Sequence, residues 1–430
     1  MNDSDAVPSG RYGGRTTVMK DSQVPGRWPA GALSATLFLV GASTAISLVA
    51  LPLFAKDDLA ADHVMIALYF AFVAIAGTVL TYATGLVSDS LRDRRRLIWW
   101  SLLWLTFGHL GLSYVSTYLG LLVCGVLFYC ALNVATAQLF AYGHDWTALS
   151  DHARNNSTKR VGLIRTAFSA GSFTGFTAGG VGIAYLNYDD VFRLAAGVSL
   201  ASLTIALGFP RRVPATKRRI SAGQPATRPD RTSRFARRRL LPALAGILVI
   251  FASGRVLQVS QLPIVLRDAY GASPQVVGFA LSIPPLAEIV LMPVAAIVAV
   301  RFGRGSVFLA GGICGALYYV GLTLSDSFGM LLALQLLYAI FGAATLMVGI
   351  DIAQSLAREE AGFATSTYFT HETVAVVNGS LVAAVSVHML GSQNAFAIPF
   401  AMCLFAVVTS ALMFLRYPMH FDFRVRRHAS

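Results

Sequence analysis

Charged residues are scarce in this sequence. Aspartate, glutamate, lysine and arginine together make up 13% of its 430 residues, whereas hydrophobic residues make up 55%. A soluble domain covers its surface with polar and charged side chains, so this shortage of charge excludes an ordinary soluble protein. The mean hydropathy of +0.62 supports the same conclusion. We therefore predict an integral membrane protein.

Cysteine is also rare, with four residues in the whole chain. They are Cys124, Cys130, Cys314 and Cys403, and all four fall within long apolar runs, where a thiol behaves as a small apolar group. We therefore expect no disulfide bonds. The sequence shows no residue spacing typical of a metal site, and no metal or other cofactor is predicted.

Sequence features of an enzyme or of a sensor are missing as well. We find no Ser-His-Asp arrangement, no His-Glu-x-x-His motif and no phosphate-binding glycine loop. A sensor needs a sizeable soluble output domain, and the polar termini and segment 211–239 are too short for one. The apolar run that follows the first 29 residues is too long for a signal-peptide core, so we expect no cleavable signal.

Long apolar runs are abundant. A helix needs about 20 apolar residues to cross the hydrocarbon core of a bilayer. Runs of about this length occur twelve times, at 31–54, 64–88, 97–116, 118–142, 161–186, 191–209, 240–265, 274–300, 306–324, 328–355, 362–388 and 393–415. The predicted fold class is therefore an all-α membrane protein with twelve transmembrane helices.

Positive charge is concentrated between the sixth and seventh runs. Segment 211–239 contains eleven basic residues and one aspartate, so it holds ten of the thirteen surplus positive charges. By the positive-inside rule this segment and both termini face the cytoplasm, which predicts a multi-pass protein of the cytoplasmic (inner) membrane. We interpret the segment as a solvated linker attracted to anionic lipid. It lacks the interleaved aromatic residues expected of a nucleic-acid site, so no nucleic-acid partner is predicted.

Six runs on either side of the linker indicate an internal duplication into two six-helix bundles. The predicted domains are a cytoplasmic tail at 1–30, a bundle at 31–210, the basic linker at 211–239, a second bundle at 240–415 and a cytoplasmic tail at 416–430. Such duplications are common in secondary transporters, which bind their substrate between the two halves.

A short loop motif occurs at the same place in both halves. After the second run the chain reads Gly85-Leu-Val-Ser-Asp89-Ser-Leu-Arg92-Asp93-Arg94-Arg95-Arg96, and after the eighth it reads Arg301-Phe-Gly303-Arg304-Gly305. The first resembles the loop signature of the major facilitator superfamily, and the second resembles a degraded copy of it. The resemblance implies the major facilitator fold. The residues it implicates in conformational change are Gly85, Asp89, Arg94, Arg95, Gly303 and Arg304. An ordinary positive-inside hairpin is the alternative.

Further motifs resemble the bacterial sugar efflux transporter family within that superfamily. They are Asn133-Val-Ala-Thr-Ala-Gln138, Gln261-Leu-Pro263, Ala287-Glu288-Ile-Val-Leu-Met292 and Gly362-Phe-Ala-Thr-Ser-Thr367-Tyr-Phe369-Thr370. The sequence departs from the family at Arg92, Ala137, Val290 and His371, where the family has Gly, Pro, Pro and Asn. The resemblance implies a monomeric carrier that exports sugars or small glycosides in exchange for protons by alternating access. Export of drugs or other small amphiphiles is the alternative, because the altered motifs change the pocket.

Ionisable residues inside the apolar runs are the candidates for proton coupling. Glu288 lies in a run otherwise without charge, and a charge at the centre of a helix costs about 2.5 to 3.5 kcal/mol on insertion scales. A proton-coupled carrier needs a buried carboxylate that can take up a proton at one face and lose it at the other. We predict this role for Glu288 and Glu372, with Arg255 and His371 as partners. A permanent ion pair of Glu288 with Arg255, or of Glu372 with His371, is the structural alternative.

Neutral polyols are recognised through amides, hydroxyls and aromatic faces in an otherwise apolar pocket. In the superfamily's architecture, runs 1, 4, 7 and 10 line the cavity. The predicted substrate-binding residues are Asn133, Gln138, Arg165, Gln258, Gln261, Gln335, Tyr338, Tyr368, Phe369 and Asn378. Asn133 and Gln138 are expected within reach of one helical face. Packing or hydrogen bonding between helices is the alternative for each residue, and Tyr318 and Tyr319 are interpreted as packing or interfacial aromatics.

Overall fold

The computed structural model describes residues 28–88, 93, 95–148, 157–209, 239–356 and 361–422. Within these ranges the chain forms α-helices and no strand. The helices of the first half are α1 (Trp28–Asp57), α2 (His63–Ser88), α3 (Arg95–Leu112), α4 (Tyr118–Cys124), α5 (Ala131–Ala148), α6 (Ser157–Tyr185) and α7 (Tyr188–Leu207). Those of the second half are α8 (Leu241–Tyr270), α9 (Pro274–Phe302), α10 (Arg304–Leu324), α11 (Phe328–Ala343), α12 (Gly349–Leu356), α13 (Ala361–Asn394), α14 (Ala397–Arg416) and α15 (Pro418–Phe421).

Two of the long helices contain a π-helical turn. Gly125–Tyr129 joins α4 to α5, and Ala344–Val348 joins α11 to α12, so each pair forms one helix of membrane-spanning length. A π turn departs from the regular hydrogen-bond ladder of an α-helix. In the first of them the carbonyl oxygen of Leu127 accepts a hydrogen bond of 2.7 Å from the indole Nε1 of Trp104 on α3.

Ten of the described helical segments are long and apolar enough to cross a membrane. The other two long helices are α3 and α6, which coincide with the predicted runs 97–116 and 161–186. Their hydropathy is lower because α3 is short and begins with Arg95 and Arg96, and because α6 is rich in glycine, serine and threonine. Helix α3 packs against α5 and α7 of the first half, whereas α6 packs against α1 of the first half and against α9 of the second. The predicted all-α membrane fold is confirmed, with twelve long helical segments in the described ranges.

Helices α1 and α6 approach each other to backbone contact. A β-carbon on Gly171 would lie 1.9 Å from the carbonyl oxygen of Phe38, and one on Gly175 would lie 2.2 Å from that of Ala42. Glycine is the residue that permits such an approach between membrane helices. This explains why α6 has a glycine-rich sequence of lower hydropathy than its neighbours.

The two halves meet through α6 against α9 and through α2 against α13. We call the end of the molecule where α7 ends and α8 begins the linker end, and the opposite end the far end. Of the predicted linker 211–239, only Arg239 lies among the described residues, so the predicted domain limits stay predictions.

At the far end the halves are in tight contact. Val49 of α1 and Ala67 of α2 are buried in the hydrophobic core of the second half, and Ile264 of α8 is buried in that of the first. Helices α6 and α9 cross at Gly180 and Gly278, where a β-carbon on Gly278 would lie 2.4 Å from the backbone carbonyl oxygen of Phe176. The halves are therefore closed against each other at the far end.

Candidate functional site

An ion pair lies near the middle of the second half. Arg255, midway along α8, places Nη2 2.5 Å from Oε2 of Glu372 on α13. The other carboxylate oxygen of Glu372 is 3.3 Å from Nε2 of His371. His371 is buried, whereas the side chains of Arg255 and Glu372 are 28% and 29% exposed. Both members of the pair are thus partly exposed, as a site for a proton or a ligand must be.

Glu288 and Tyr338 complete this cluster. Glu288 is half-buried, and its Oε1 lies against Gly342 of α11, where a β-carbon would be 2.8 Å away. Tyr338 lies one turn earlier on α11, in the neighbourhood of Arg255, Glu288 and Glu372. The structure therefore brings together residues of α8, α9, α11 and α13 that the sequence predicts as a functional set. We call Arg255, Glu288, His371, Glu372 and Tyr338 the charged cluster.

Three of the predicted amides connect helices near this cluster. Gln258 donates from Nε2 to Oε1 of Gln335 at 3.3 Å, and both side chains are buried. Asn378 donates from Nδ2 to Oγ of Ser253 at 2.8 Å and is half-buried. These bonds hold α8 against α11 and α13, so they support the positions of the charged residues.

In the first half the structure corrects one expectation. Gln138 is buried, whereas Asn133 is exposed and points its amide at Gly77 of α2. A spacing of five residues turns an α-helix by about 500°, which leaves the two side chains roughly 140° apart. Asn133 and Gln138 therefore do not share a face. Arg165 lies in α6 and Tyr368 and Phe369 lie in α13, but their side chains are outside the described part of the structure.

Gln261 belongs to the contact between the halves. It is fully buried, accepts at Oε1 from Nδ1 of His63 at 2.8 Å, and donates from Nε2 to the backbone oxygen of His63 at 3.2 Å. Because Nε2 must donate to the backbone oxygen, the imidazole Nδ1 of His63 must carry the proton that Oε1 accepts. This reciprocal pair joins α2 to α8 at the far end.

Ion pairs lie beside the His63–Gln261 pair. Arg267 places Nη1 2.5 Å from Oδ2 of Asp57, Lys56 pairs with Asp268, and the hydroxyl of Tyr188 donates to Asp57 at 2.7 Å. We call the pairs His63–Gln261, Asp57–Arg267 and Lys56–Asp268 the far-end latch. Of these residues only Gln261 is predicted from the sequence, although the opposite charges just after runs 1 and 7 are a usable signal.

The structure describes part of the predicted loop motif. Gly303 directly follows α9 and has φ of 90°, a conformation that favours glycine. Arg304 begins α10, with Nε 2.8 Å from Oδ2 of Asp351 on α12. In the first half Gly85 lies in the last turn of α2, and Asp89 and Arg94 lie outside the described residues. Arg304 thus ties α10 to α12 at the linker end.

Arg95 is a structural clamp at the same end. Its guanidinium forms hydrogen bonds of 2.8 and 2.5 Å with the carboxylate of Asp93, and it donates to the backbone oxygen of Phe209 at 2.7 Å. The bonds from Arg95 lower the pKa of Asp93 below its ordinary value. They also fix the beginning of α3 to the end of α7. Among the residues that the structure describes, no group of three histidine, cysteine or acidic side chains could hold a metal ion.

Comparison with known proteins agrees with this architecture. The family model of the Major Facilitator Superfamily matches residues 33–259 and 244–424, so the chain belongs to this superfamily. It is a multi-pass membrane transporter and not an enzyme.

Among curated relatives, "Sugar efflux transporter A" of Escherichia coli (strain K12) is 25% identical over 350 residues, which cover 80% of this chain and 86% of the relative. "Sugar efflux transporter A" of Dickeya chrysanthemi is 27% identical over 352 residues, covering 81% and 86%. Among solved structures, the nucleoside transporter NupG has a TM-score of 0.73 at 13% identity and covers 90% of this chain and 99% of that chain. A peptide transporter POT has a TM-score of 0.73 at 16% identity, covering 92% and 95%. These structural likenesses establish the fold alone.

Proposed function

We propose that this protein exports sugars or small glycosides across the cytoplasmic membrane by alternating access, and that protons move in the opposite direction. Two curated relatives named as sugar efflux transporters, each matched over about four fifths of this chain, support the substrate class. The observation that carries the coupling is the ion pair of Arg255 and Glu372, which lies in mid-molecule, is partly exposed and has Glu288 and His371 beside it.

The chemistry of the charged cluster explains how a proton and a sugar exclude each other. An ionised carboxylate accepts hydrogen bonds, as from a sugar hydroxyl, and loses most of this capacity when it takes up a proton. Arg255 keeps its charge throughout, because a guanidinium does not titrate in proteins. A proton on Glu372 therefore weakens both the ion pair with Arg255 and the acceptor that holds a sugar. Sugar and proton thus bind alternately at one site, as exchange requires.

Alternating access is supported by the far-end latch. Its three pairs hold the halves together at one end only. In this proposal the linker end faces the cytoplasm, as the positive-inside rule favours for the basic linker, so the described conformation is closed on the outside. Release of an exported sugar then requires the latch to open. In this proposal both termini are cytoplasmic, the basic linker lies on anionic lipid, and the carrier works as a monomer.

Counterflow in proteoliposomes tests the proposal. Liposomes preloaded with an unlabelled sugar are diluted into a panel of labelled mono- and disaccharides, with and without an imposed pH gradient. We expect at least one sugar to accumulate transiently, and a gradient that drives protons against the sugar flux to increase transport. Movement of lipophilic dyes without movement of any sugar would instead support the alternative function, export of drugs or other small amphiphiles.

A further inference from the structure

A second group of polar side chains lies inside the second half, next to Arg255. It consists of Gln258 on α8, Tyr318 and Tyr319 on α10, and Gln335 and Tyr338 on α11. All five are buried, and the ring of Tyr318 lies 5.0 Å from that of Tyr319 and 4.9 Å from that of Tyr338. We call these residues the internal polar cluster. Of the two interpretations of Tyr318 and Tyr319, packing and a membrane interface, full burial agrees with packing.

The hydroxyl of Tyr319 reaches α8 beside Arg255. A β-carbon on Gly254 would lie 2.4 Å from this hydroxyl oxygen, so the hydroxyl occupies the space that any other residue at 254 would fill. Arg255 is the next residue in the chain after this glycine. No described residue forms a hydrogen bond with the hydroxyl of Tyr319.

Gln258 provides a second buried polar atom. Its Nε2 donates to Gln335, but its Oε1 is buried and has no hydrogen-bond partner among the described residues. Gln258 lies four residues after Gly254, so the side chain of Gln258 and the niche at Gly254 lie on the same face of α8. Two buried polar atoms without a partner among the described residues, one from α8 and one from α10, therefore lie on the same face of α8.

Buried polar atoms in native proteins are almost always hydrogen-bonded, and those without a protein partner are usually bonded to ordered water. We propose that the second half binds ordered water between α8, α10 and α11, held by the hydroxyl of Tyr319 and by Oε1 of Gln258, next to Arg255. This water stabilises the charge of Arg255 when Glu372 takes up a proton and its own negative charge is lost. That consequence rests on the proposed function, whereas the water site does not.

X-ray radiolytic footprinting of the intact wild-type protein tests the site. The beam converts bound water to hydroxyl radicals, which label the side chains beside it. Tyr319 is fully buried, so we expect it to be labelled at least tenfold faster than Phe308 and Phe341, aromatic residues buried in the apolar core of the same half. Gln258→Leu is expected to slow the labelling of Tyr319 at least threefold. Labelling of Tyr319 no faster than that of Phe308 would overturn the proposal.

Thermal unfolding of Tyr319→Phe gives a second measurement. Removing a hydroxyl from a dry apolar space stabilises a protein, whereas removing one that is bonded to water destabilises it, so the sign of the Tm shift decides. Tyr118→Phe is the reference for the fall in Tm on removing a hydrogen-bonded hydroxyl, because the hydroxyl of Tyr118 donates directly to the backbone oxygen of Met65 at 2.7 Å. We expect Tyr319→Phe to lower the Tm by an amount similar to Tyr118→Phe, and a raised Tm would contradict the water site. Neither measurement involves transport, so a failure of sugar export leaves both results interpretable.

Discussion

Substitution of Gln261 by leucine is expected to open the far end of the transporter. Gln261→Leu removes both bonds to His63 and leaves the imidazole N–H and the backbone oxygen of His63 without their partner in the closed state. A buried polar group without a partner costs about 1 to 3 kcal/mol, and because His63 is half-buried we take about 1 kcal/mol. In the open state water reaches these groups, so the penalty falls on the closed state alone. The ratio of open to closed molecules should therefore rise about 5-fold.

Pulsed electron spin resonance measures this shift. Asn187 and Asp326 lie in exposed turns at the far end, one in each half, and spin labels attached there report the separation of the halves. We expect one short distance in the wild type and a second, longer distance in Gln261→Leu. Gln354→Leu, at an exposed position near the linker end, is the matched control and should leave the distribution unchanged. Identical distributions in the wild type and in Gln261→Leu would refute the latch.

Two further predictions follow from close contacts. Gly278→Ala places a β-carbon 2.4 Å from the carbonyl oxygen of Phe176 and should also lengthen the far-end distance, whereas Gly246→Ala, with nothing within 4 Å of the added carbon, should not. Asp93→Asn should lower the free energy of unfolding by about 1 kcal/mol at neutral pH, because it weakens a partly exposed, charge-assisted pair with Arg95. The pKa of Asp93 is lowered in the folded state, so its contribution to the free energy of unfolding is complete above the ordinary aspartate pKa of 3.8 and is lost as the pH falls further. The stabilities of the wild type and the variant should therefore converge in acid. Unfolding curves in detergent at several pH values check this, and a constant difference would contradict it.

Much of the fold is predictable because bilayer thickness fixes the length of each apolar run. The predicted run 274–300 corresponds to α9 at Pro274–Phe302, and 306–324 to α10 at Arg304–Leu324. Packing against a neighbour is harder to predict. Helix α6 has low hydropathy because its glycines contact α1, and that contact joins residues far apart in the sequence.

The candidate site is predictable as a set of residues but not as a set of pairs. The cost of charge in a bilayer singles out Arg255, Glu288 and Glu372, yet only the crossing of α8 and α13 decides that Arg255 pairs with Glu372. The amide of Gln261 is of a type that binds sugar hydroxyls. It bonds to His63 instead, because α2 and α8 are in contact where these two residues lie. Residue type predicts what a side chain can bind, whereas tertiary contacts decide what it does bind.

The central claim is that Glu372 carries the proton that is exchanged for a sugar. It is tested most directly by transport through Glu372→Gln in proteoliposomes, measured both as sugar counterflow without a pH gradient and as sugar movement driven by one. Asp326→Asn, which neutralises an exposed acid outside the charged cluster, is the matched control. The account predicts that Glu372→Gln loses the gradient-driven component and keeps a reduced counterflow, because the amide oxygen of glutamine still accepts a hydrogen bond from a sugar hydroxyl but more weakly than a carboxylate. The control keeps both. Gradient-driven sugar transport at the wild-type rate in Glu372→Gln would contradict it.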